Sequence, residues 1–195
     1  MTPALTFADP EKGSIMPLFT PLRALFIATL VCLALPLSAH AELKVDITRG
    51  NYQPMPVAVM DFQGSTLEER QMGQQVAGIV RANLERSGLF TLIPQEAFIE
   101  RTLDVSVQPR FSDWQLIKAD ALVTGRVYLQ QDGLLLVEFR LWDVFGRQQI
   151  HGMQLGLAAD SWRRLGHMVS DDVYTKLTGE SGYFDTRVVF VHETG

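Results

Sequence analysis

Two apolar runs with one helical pattern between them set the terms for this chain. Met55 to Phe62 (MPVAVMDF) is almost continuously apolar and closes on Asp61-Phe62-Gln63-Gly64, as a strand buried on both faces does. Thr66, with Glu69 three residues later, is a capping box that opens a helix. Met72, Val76, Ile79, Val80 and Leu84 then share one helical face, and Gly88 closes the helix at its C-cap. Leu89 to Pro94 (LFTLIP) is the second strand. Strand, helix, strand in that order predicts a right-handed parallel crossover, which commits the chain to an α/β architecture.

An antiparallel part follows. Ala121 to Gln130 and Leu134 to Trp142 are predicted strands joined across Asp132-Gly133, a dipeptide suited to a type I′ hairpin turn. Phe145-Gly146-Arg147 turns the chain into a third strand, Gln149 to Ala158. In the middle strand Leu135, Val137, Phe139 and Leu141 alternate with polar residues, which predicts a meander with one buried face. The last helix is expected over Asp160 to Leu177, with Asp160 or Ser161 as N-cap and Trp162, Leu165, Val169, Val173 and Leu177 on its apolar stripe. Between the two halves the text is less regular: a helical turn near Glu96 to Thr102, a polar loop through Pro109, and a short helix, Asp113 to Lys118, with Trp114 and Ile117 inward. The fold class is α/β (α+β), with two main helices packed on a mixed sheet of five to six strands and ending near residue 178.

The first 41 residues are a different kind of sequence. Arg23 precedes an apolar run from Ala24 to Leu37, and Ala39-His40-Ala41 follows. A short positive region, a brief apolar core and small residues at −3 and −1 predict a secretory signal peptide cleaved between Ala41 and Glu42. The alternative is an uncleaved anchor helix. Residues 1–15 are polar, and Met16 is a second candidate start. The single cysteine, Cys32, lies inside the apolar run, so the exported chain has no thiol to oxidise or pair. Asp9 and Glu11 cancel Lys12 and Arg23 within the leader, so the mature chain keeps the net charge of −5. Without a basic cluster, nucleic acid is not an expected partner.

Glu42 to Thr48 (ELKVDIT) alternates Leu43, Val45 and Ile47 against Lys44, Asp46 and Thr48, and the loop RGNYQPMP follows it. An alternating strand at a free terminus suits recognition by strand addition. An ordinary first strand of the sheet is the competing reading.

Little in the sequence points to catalysis. Neither G-x-x-x-x-G-K-[ST] nor G-x-G-x-x-G occurs, so no phosphate-binding loop and no cofactor is expected. His167 and Asp171 stand i, i+4 on the last helix, yet a metal needs three or four ligands and this pair offers two. Ser170 lies beside His167 without an orienting acid or oxyanion donors, and His151 is alone in its strand. A small hydrolase built on His167 and Asp171, and a stand-alone scaffold domain for envelope assembly, are the rival classes to a protein-binding adaptor.

Three segments carry a resemblance: VRANLERSGLF (80–90), KADALVTGRV (118–127) and RRLGHMVSDDVYTKLTGESGYFDTRVVFV (163–191). The last contains H-x-x-S-D-x-V-Y-x-x-L-T-G, then G-x-F-x-T-R and an apolar strand. The sequence resembles the TolB family of the periplasmic Tol-Pal system of Gram-negative bacteria. The resemblance implies a non-enzymatic periplasmic adaptor, with no metal or cofactor, that maintains outer-membrane integrity and draws that membrane inward at division. It implies three parts: a leader (1–41), an N-terminal α/β domain (42–178), and a linker with the first strand of a β-propeller (179–195). The propeller would bind the lipoprotein Pal. The mature N-terminus would bind the C-terminal domain of TolA, which assigns Glu42, Leu43, Lys44, Val45, Asp46, Ile47, Thr48, Arg49 and Gly50 to that contact by position and alternation. The loop NYQPMP departs from the short glycine-rich stretch that the family would place there.

Overall fold

The computed structural model describes residues 53–186. Its five strands are β1 (Met55–Val59), β2 (Phe90–Leu92), β3 (Ala121–Leu129), β4 (Leu134–Asp143) and β5 (Gln148–Ala158). Its α-helices are α1 (Leu67–Arg86), α2 (Phe111–Leu116) and α3 (Trp162–Thr178). The sheet order is β2-β1-β3-β4-β5. β1 is parallel to both neighbours, with Met55 opposite Phe90 and Val57 opposite Ala121. β3, β4 and β5 form the antiparallel meander, in which Val127 faces Val137 and Val137 faces Leu155. The mixed sheet, the crossover partner of β1 and the meander are all as the residue pattern predicts.

Each face of the sheet has its own core. On one, α1 and α3 lie over Val57, Val59, Val123 and the β4 row Leu135, Val137, Phe139 and Leu141. Val76, Val80 and Leu84 of α1 and Leu165, Val169, Val173 and Leu177 of α3 are fully enclosed, while Met72 and Trp162 pack at the margin. The helices touch closely because Gly166 has no side chain: a Cβ there would lie 2.8 Å from Ile79 Cβ. On the opposite face, α2 brings Phe111 and Trp114 onto Ala58, Leu122 and Trp142. Phe98 meets Trp114 edge-on at 5.1 Å.

Local chemistry moves several boundaries. The turn expected over Glu96 to Thr102 is a single 3-10 turn, Gln95–Ala97, and the following loop sends Leu103 and Val105 into the interior. α2 begins two residues before Asp113, because Phe111 is an inward anchor one turn ahead of Trp114 and Arg110 pairs with Asp113 at 3.0 Å. It stops at Leu116, and Lys118 takes a positive φ of 61°. The β3–β4 turn is not type I′. Only Gly133 has positive φ (83°), Gln130 accepts its N–H at 3.0 Å, and Asp132 Oδ1 accepts the Leu134 N–H. That is a three-residue loop with its left-handed glycine last, the commonest alternative to the two-residue turn. α3 has no side-chain N-cap either: it grows out of a 3-10 turn, Ala159–Ser161, and Ser161 Oγ donates to Asp160 instead.

The capping box is present in full. Thr66 Oγ1 accepts the Glu69 N–H, and Glu69 Oε2 accepts the N–H groups of Ser65 and Thr66 at 2.8 and 2.9 Å. Glu69 Oε1 also accepts the Leu129 N–H at 2.9 Å, so this carboxylate ties the start of α1 to the end of β3. Those backbone donors, Leu129 first and Thr66 next, hold Glu69 below the usual glutamate range against the opposing effect of its burial. Because the folded pKa is depressed, the stabilisation is complete above the unfolded glutamate pKa and is lost as pH falls through the folded value. Glu69→Ala is expected to cost about 2 kcal/mol at neutral pH. In thermal melts, the gap between the wild type and Glu69→Gln should close on acidification; a gap independent of pH would show that the charge contributes nothing.

Candidate functional site

The residues that the sequence assigns to partner binding, Glu42 to Gly50, and those of the predicted cleavage site, Ala39, Ala41 and Glu42, lie outside the described residues. So do Arg187 to Val191. Within the described region, the segments that carried the resemblance fall on the end of α1 and β2 (80–90), on β3 (118–127), and on α3 with its exit.

Open sheets with parallel strands receive ligands beyond the carboxyl ends of those strands, where the strand order reverses. Here that crevice lies past β1, between β2 and β3. At that end the Arg81 guanidinium donates to the Val59 carbonyl at 3.1 Å and to Asp61 Oδ1 at 3.0 Å, Gln95 donates to the same oxygen at 3.0 Å, and a cavity of about 130 Å³ lined by Met60, Asp61, Gln95, Phe98 and Arg101 lies beside them. Among the described residues, no group of three or more His, Cys, Asp or Glu could hold a metal ion.

His167 and Asp171 share a helix but do not meet in a common site. His167 Nδ1 lies 2.9 Å from the Asn83 amide nitrogen on α1, a contact that makes Nδ1 the acceptor and places the ring proton on Nε2. Asn83 Nδ2 also donates to Ser170 Oγ at 2.9 Å, and Ser170 Oγ donates to the Gly166 carbonyl at 2.7 Å. Arg86 donates to Asn83 Oδ1 at 2.7 Å. Asn83 is almost wholly enclosed, so these bonds supply the partners that a buried amide requires. They also fix the rotation of α3 against α1. His151 Nε2 of β5 lies 2.7 Å from Asp172 Oδ2 of α3, a close approach without hydrogen-bond geometry.

Asp171 works in the other direction, on the segment beyond the helix. Gly179 ends α3 in the left-handed region (φ 81°), with its N–H donated to Thr175 O. Thr178 Oγ1 donates to the Tyr174 carbonyl and accepts the Glu180 N–H. The chain then turns back along the helix. Gly182 passes so close that a Cβ would lie 2.4 Å from Asp171 Cα, and its N–H reaches Thr175 Oγ1 at 3.1 Å. Asp171 Oδ1 accepts the Phe184 N–H at 2.6 Å and Oδ2 accepts the Asp185 N–H at 2.9 Å. Arg164 Nε reaches both oxygens of Asp185 at 3.1 Å. Tyr183 and Phe184 meet Tyr174 edge-on, with ring centroids 5.5 and 5.7 Å apart. Burial pushes the Tyr174 phenol above its usual range, with Tyr183 and Glu180 adding to it. The Gly-punctuated stretch 179–185 is thus a fastened joint, and H-x-x-S-D-x-V-Y-x-x-L-T-G reads as its parts: two α3 groups that bind Asn83 of α1, one α3 carboxylate that binds the exit, one aromatic clamp and a glycine stop.

Asn83 was missed at the sequence level, although it falls beside Leu84 on a stripe that is otherwise apolar, and that misplacement is the signal. The roles of Asp171 and Arg164 had no such signal, since they depend on a segment folding back.

The fold and this joint define a class: an α+β domain of three helices on a five-stranded mixed sheet, whose distinctive side chains hold secondary structure together. Known proteins place it further. The profile described as the TolB amino-terminal domain matches residues 43–150. The chain is 44% identical over 174 residues to the Tol-Pal system protein TolB of Paramagnetospirillum magneticum, a match covering 89% of this chain and 39% of that protein. The crystal structure of TolB from Acinetobacter baumannii superposes with a TM-score of 0.57 at 30% identity, covering 73% of this chain and 33% of that one. This chain belongs to the TolB family. It spans about two fifths of the length of that curated relative. Among the described residues, no helix is long and apolar enough to cross a membrane.

Proposed function

We propose that this chain serves the Tol-Pal system as a periplasmic adaptor, exported by a signal peptide cleaved after Ala41, and that the newly exposed strand Glu42 to Gly50 is donated to the C-terminal domain of TolA. Family membership over residues 43–150 carries this reading. Support also comes from the chemistry: His167, Ser170 and Asp171, the side chains best suited to catalysis, are engaged by Asn83, Gly166 and the backbone of Phe184 and Asp185. Binding of Pal belongs to a propeller following residue 186, with Phe184-Asp185-Thr186-Arg187 leading into its first strand. The whole serves outer-membrane integrity and constriction at division.

The test is direct. The exported chain with and without Glu42 to Arg49 is titrated with the TolA C-terminal domain. The deletion should weaken binding by at least about a hundredfold, as expected when an interface loses its central strand, with the thermal midpoint unchanged. Equal affinity of the two forms would refute the assignment. Mass spectrometry of the exported product, expected to begin at Glu42, checks the cleavage site.

A further inference from the structure

The two edges of the sheet are protected unequally. β2 is three residues long, and a short edge strand deters pairing. β5 is eleven residues long and contains no Lys, Arg, Asp, Glu or Pro. Its one irregularity, the bulge at Ile150, lies near its start. Among the described residues, no bulge, proline or charged side chain of β5 itself interrupts the edge from His151 to Ala158, and the charge nearest to it, Arg140 of β4, lies over Gly152 on the other face from the core.

Beside this edge, a groove of about 300 Å³ runs between β5 and α3, with Met153, Leu155 and Met168 as its apolar lining and Asp171, Asp172 and Asp185 among its polar residues. Met153 and Leu155 pair with Phe139 and Val137, so they stand on the core face, yet Met153 is 37% exposed. The flank of the core therefore reaches the surface here. Three carboxylates border it: Asp185 pairs with the Arg164 guanidinium, Asp171 accepts the Phe184 and Asp185 N–H groups, and Asp172 lies beside the His151 ring.

We propose that the β5 edge and this groove form a docking surface that accepts, by strand addition, an extended segment of a partner protein in which an apolar residue and a lysine or arginine stand two positions apart. Pairing with β5 satisfies the strand's outward backbone groups and sends alternate side chains of the guest into the groove. The apolar side chain meets Met153, Leu155 and Met168, where thioethers adapt to guests of different shape. The cation two positions on meets the carboxylate border, which supplies selectivity and a salt-dependent on-rate. This surface accepts a strand, whereas the segment 42–50 donates one, so it stands whether or not the TolA reading holds.

The probe is a synthetic peptide with valine and lysine alternating on one face and threonine on the other, titrated into the full chain beside a matched peptide with glutamate in place of lysine. The lysine peptide should bind at least about tenfold more tightly, lose affinity with added salt, and shift the backbone amide signals of 151–158. Met153→Lys, a charge on an exposed edge position, should abolish binding and leave the melting temperature near that of the wild type. If that variant does not fold, the amide shifts decide alone. Equal binding of the two peptides, no binding, or shifts confined to other elements would overturn the proposal. So would a concentration-dependent dimer paired through β5, which would make a second copy the guest. Binding that emerges only after residues 42–50 are deleted would overturn it as well, since the chain's own terminus would then be the guest.

Discussion

Gly73→Ala should destabilise the domain by about 3 kcal/mol, at the upper end of overpacking costs, while Gly78→Ala, on the same helix, should stabilise it by about 0.5–1 kcal/mol. A Cβ at position 73 would lie 2.2 Å from the Phe62 carbonyl oxygen and 2.9 Å from its carbon. Both partners are backbone, so no rotamer change relieves the overlap and α1 must lift from the end of β1. The Phe62 ring cannot follow, because it already fills the space over Gly125, where a Cβ would meet ring carbons at 2.8 Å. Phe62 is 1% exposed, so lifting the helix opens the core around it. At Gly78 the nearest atom to a new Cβ is a guanidinium nitrogen of Arg81 at 4.0 Å, and the substitution only removes unfolded-state freedom. Urea denaturation of both variants, with equal slopes required for the comparison, gives the two signs. If Gly73→Ala unfolds at the wild-type midpoint, the close seat of α1 on Phe62 does not contribute to stability.

That contrast bears on what the sequence could reveal. Both glycines sit in one helical pattern, and spacing alone gives them the same meaning. The elements themselves were legible because their patterns are local: the capping box at Thr66 and Glu69, the alternation from Leu135 to Leu141, and the stripe from Leu165 to Leu177 each need only neighbours in sequence. The failures have a common cause. The start of α2 at Phe111 is set by a core across the sheet, formed with Trp142 at 6.1 Å, and no propensity near Arg110 announces it. The turn at Asp132-Gly133 carries residues compatible with two loop geometries, and strand register chose between them. Asp160 and Ser161 look like caps, but the chain comes off β5 through a 3-10 turn that leaves neither side chain aimed at the helix.

The candidate site divides in the same way. His167, Ser170 and Asp171 drew notice as reactive types at helical spacing, and their partners, Asn83 on α1 and the backbone at Phe184 and Asp185, are distant or fold back from beyond the helix. Spacing identified the residues but not what each one holds. The resemblance to the TolB family rested in part on this motif, and the geometry gives a physical reason for its polar members: His167 and Ser170 attach α3 to α1, and Asp171 attaches the exit to α3.

Asp171→Ala tests the joint most sharply. The carboxylate accepts two backbone N–H groups with one oxygen each, and charge-assisted bonds of this kind carry more than neutral ones. Removing both acceptors should cost the local structure about 2–3 kcal/mol, allowing for the partial exposure of the site, or roughly 30- to 150-fold in the opening equilibrium. The effect should appear as faster hydrogen exchange at the amides of Phe184 and Asp185, and as new protease cleavage near Gly182. The interior strands should remain protected, because the segment opens as a unit separate from the core. Arg164→Ala, which loses only a partly exposed pair with Asp185, should give the same pattern at smaller amplitude. Unchanged exchange at Phe184 in Asp171→Ala would mean that the aromatic clamp of Tyr174, Tyr183 and Phe184 holds the exit alone. With the joint intact, the direction in which the chain leaves residue 186 is tied to α3, and through Asn83 to α1, so a force on the following polypeptide is delivered to the helical layer.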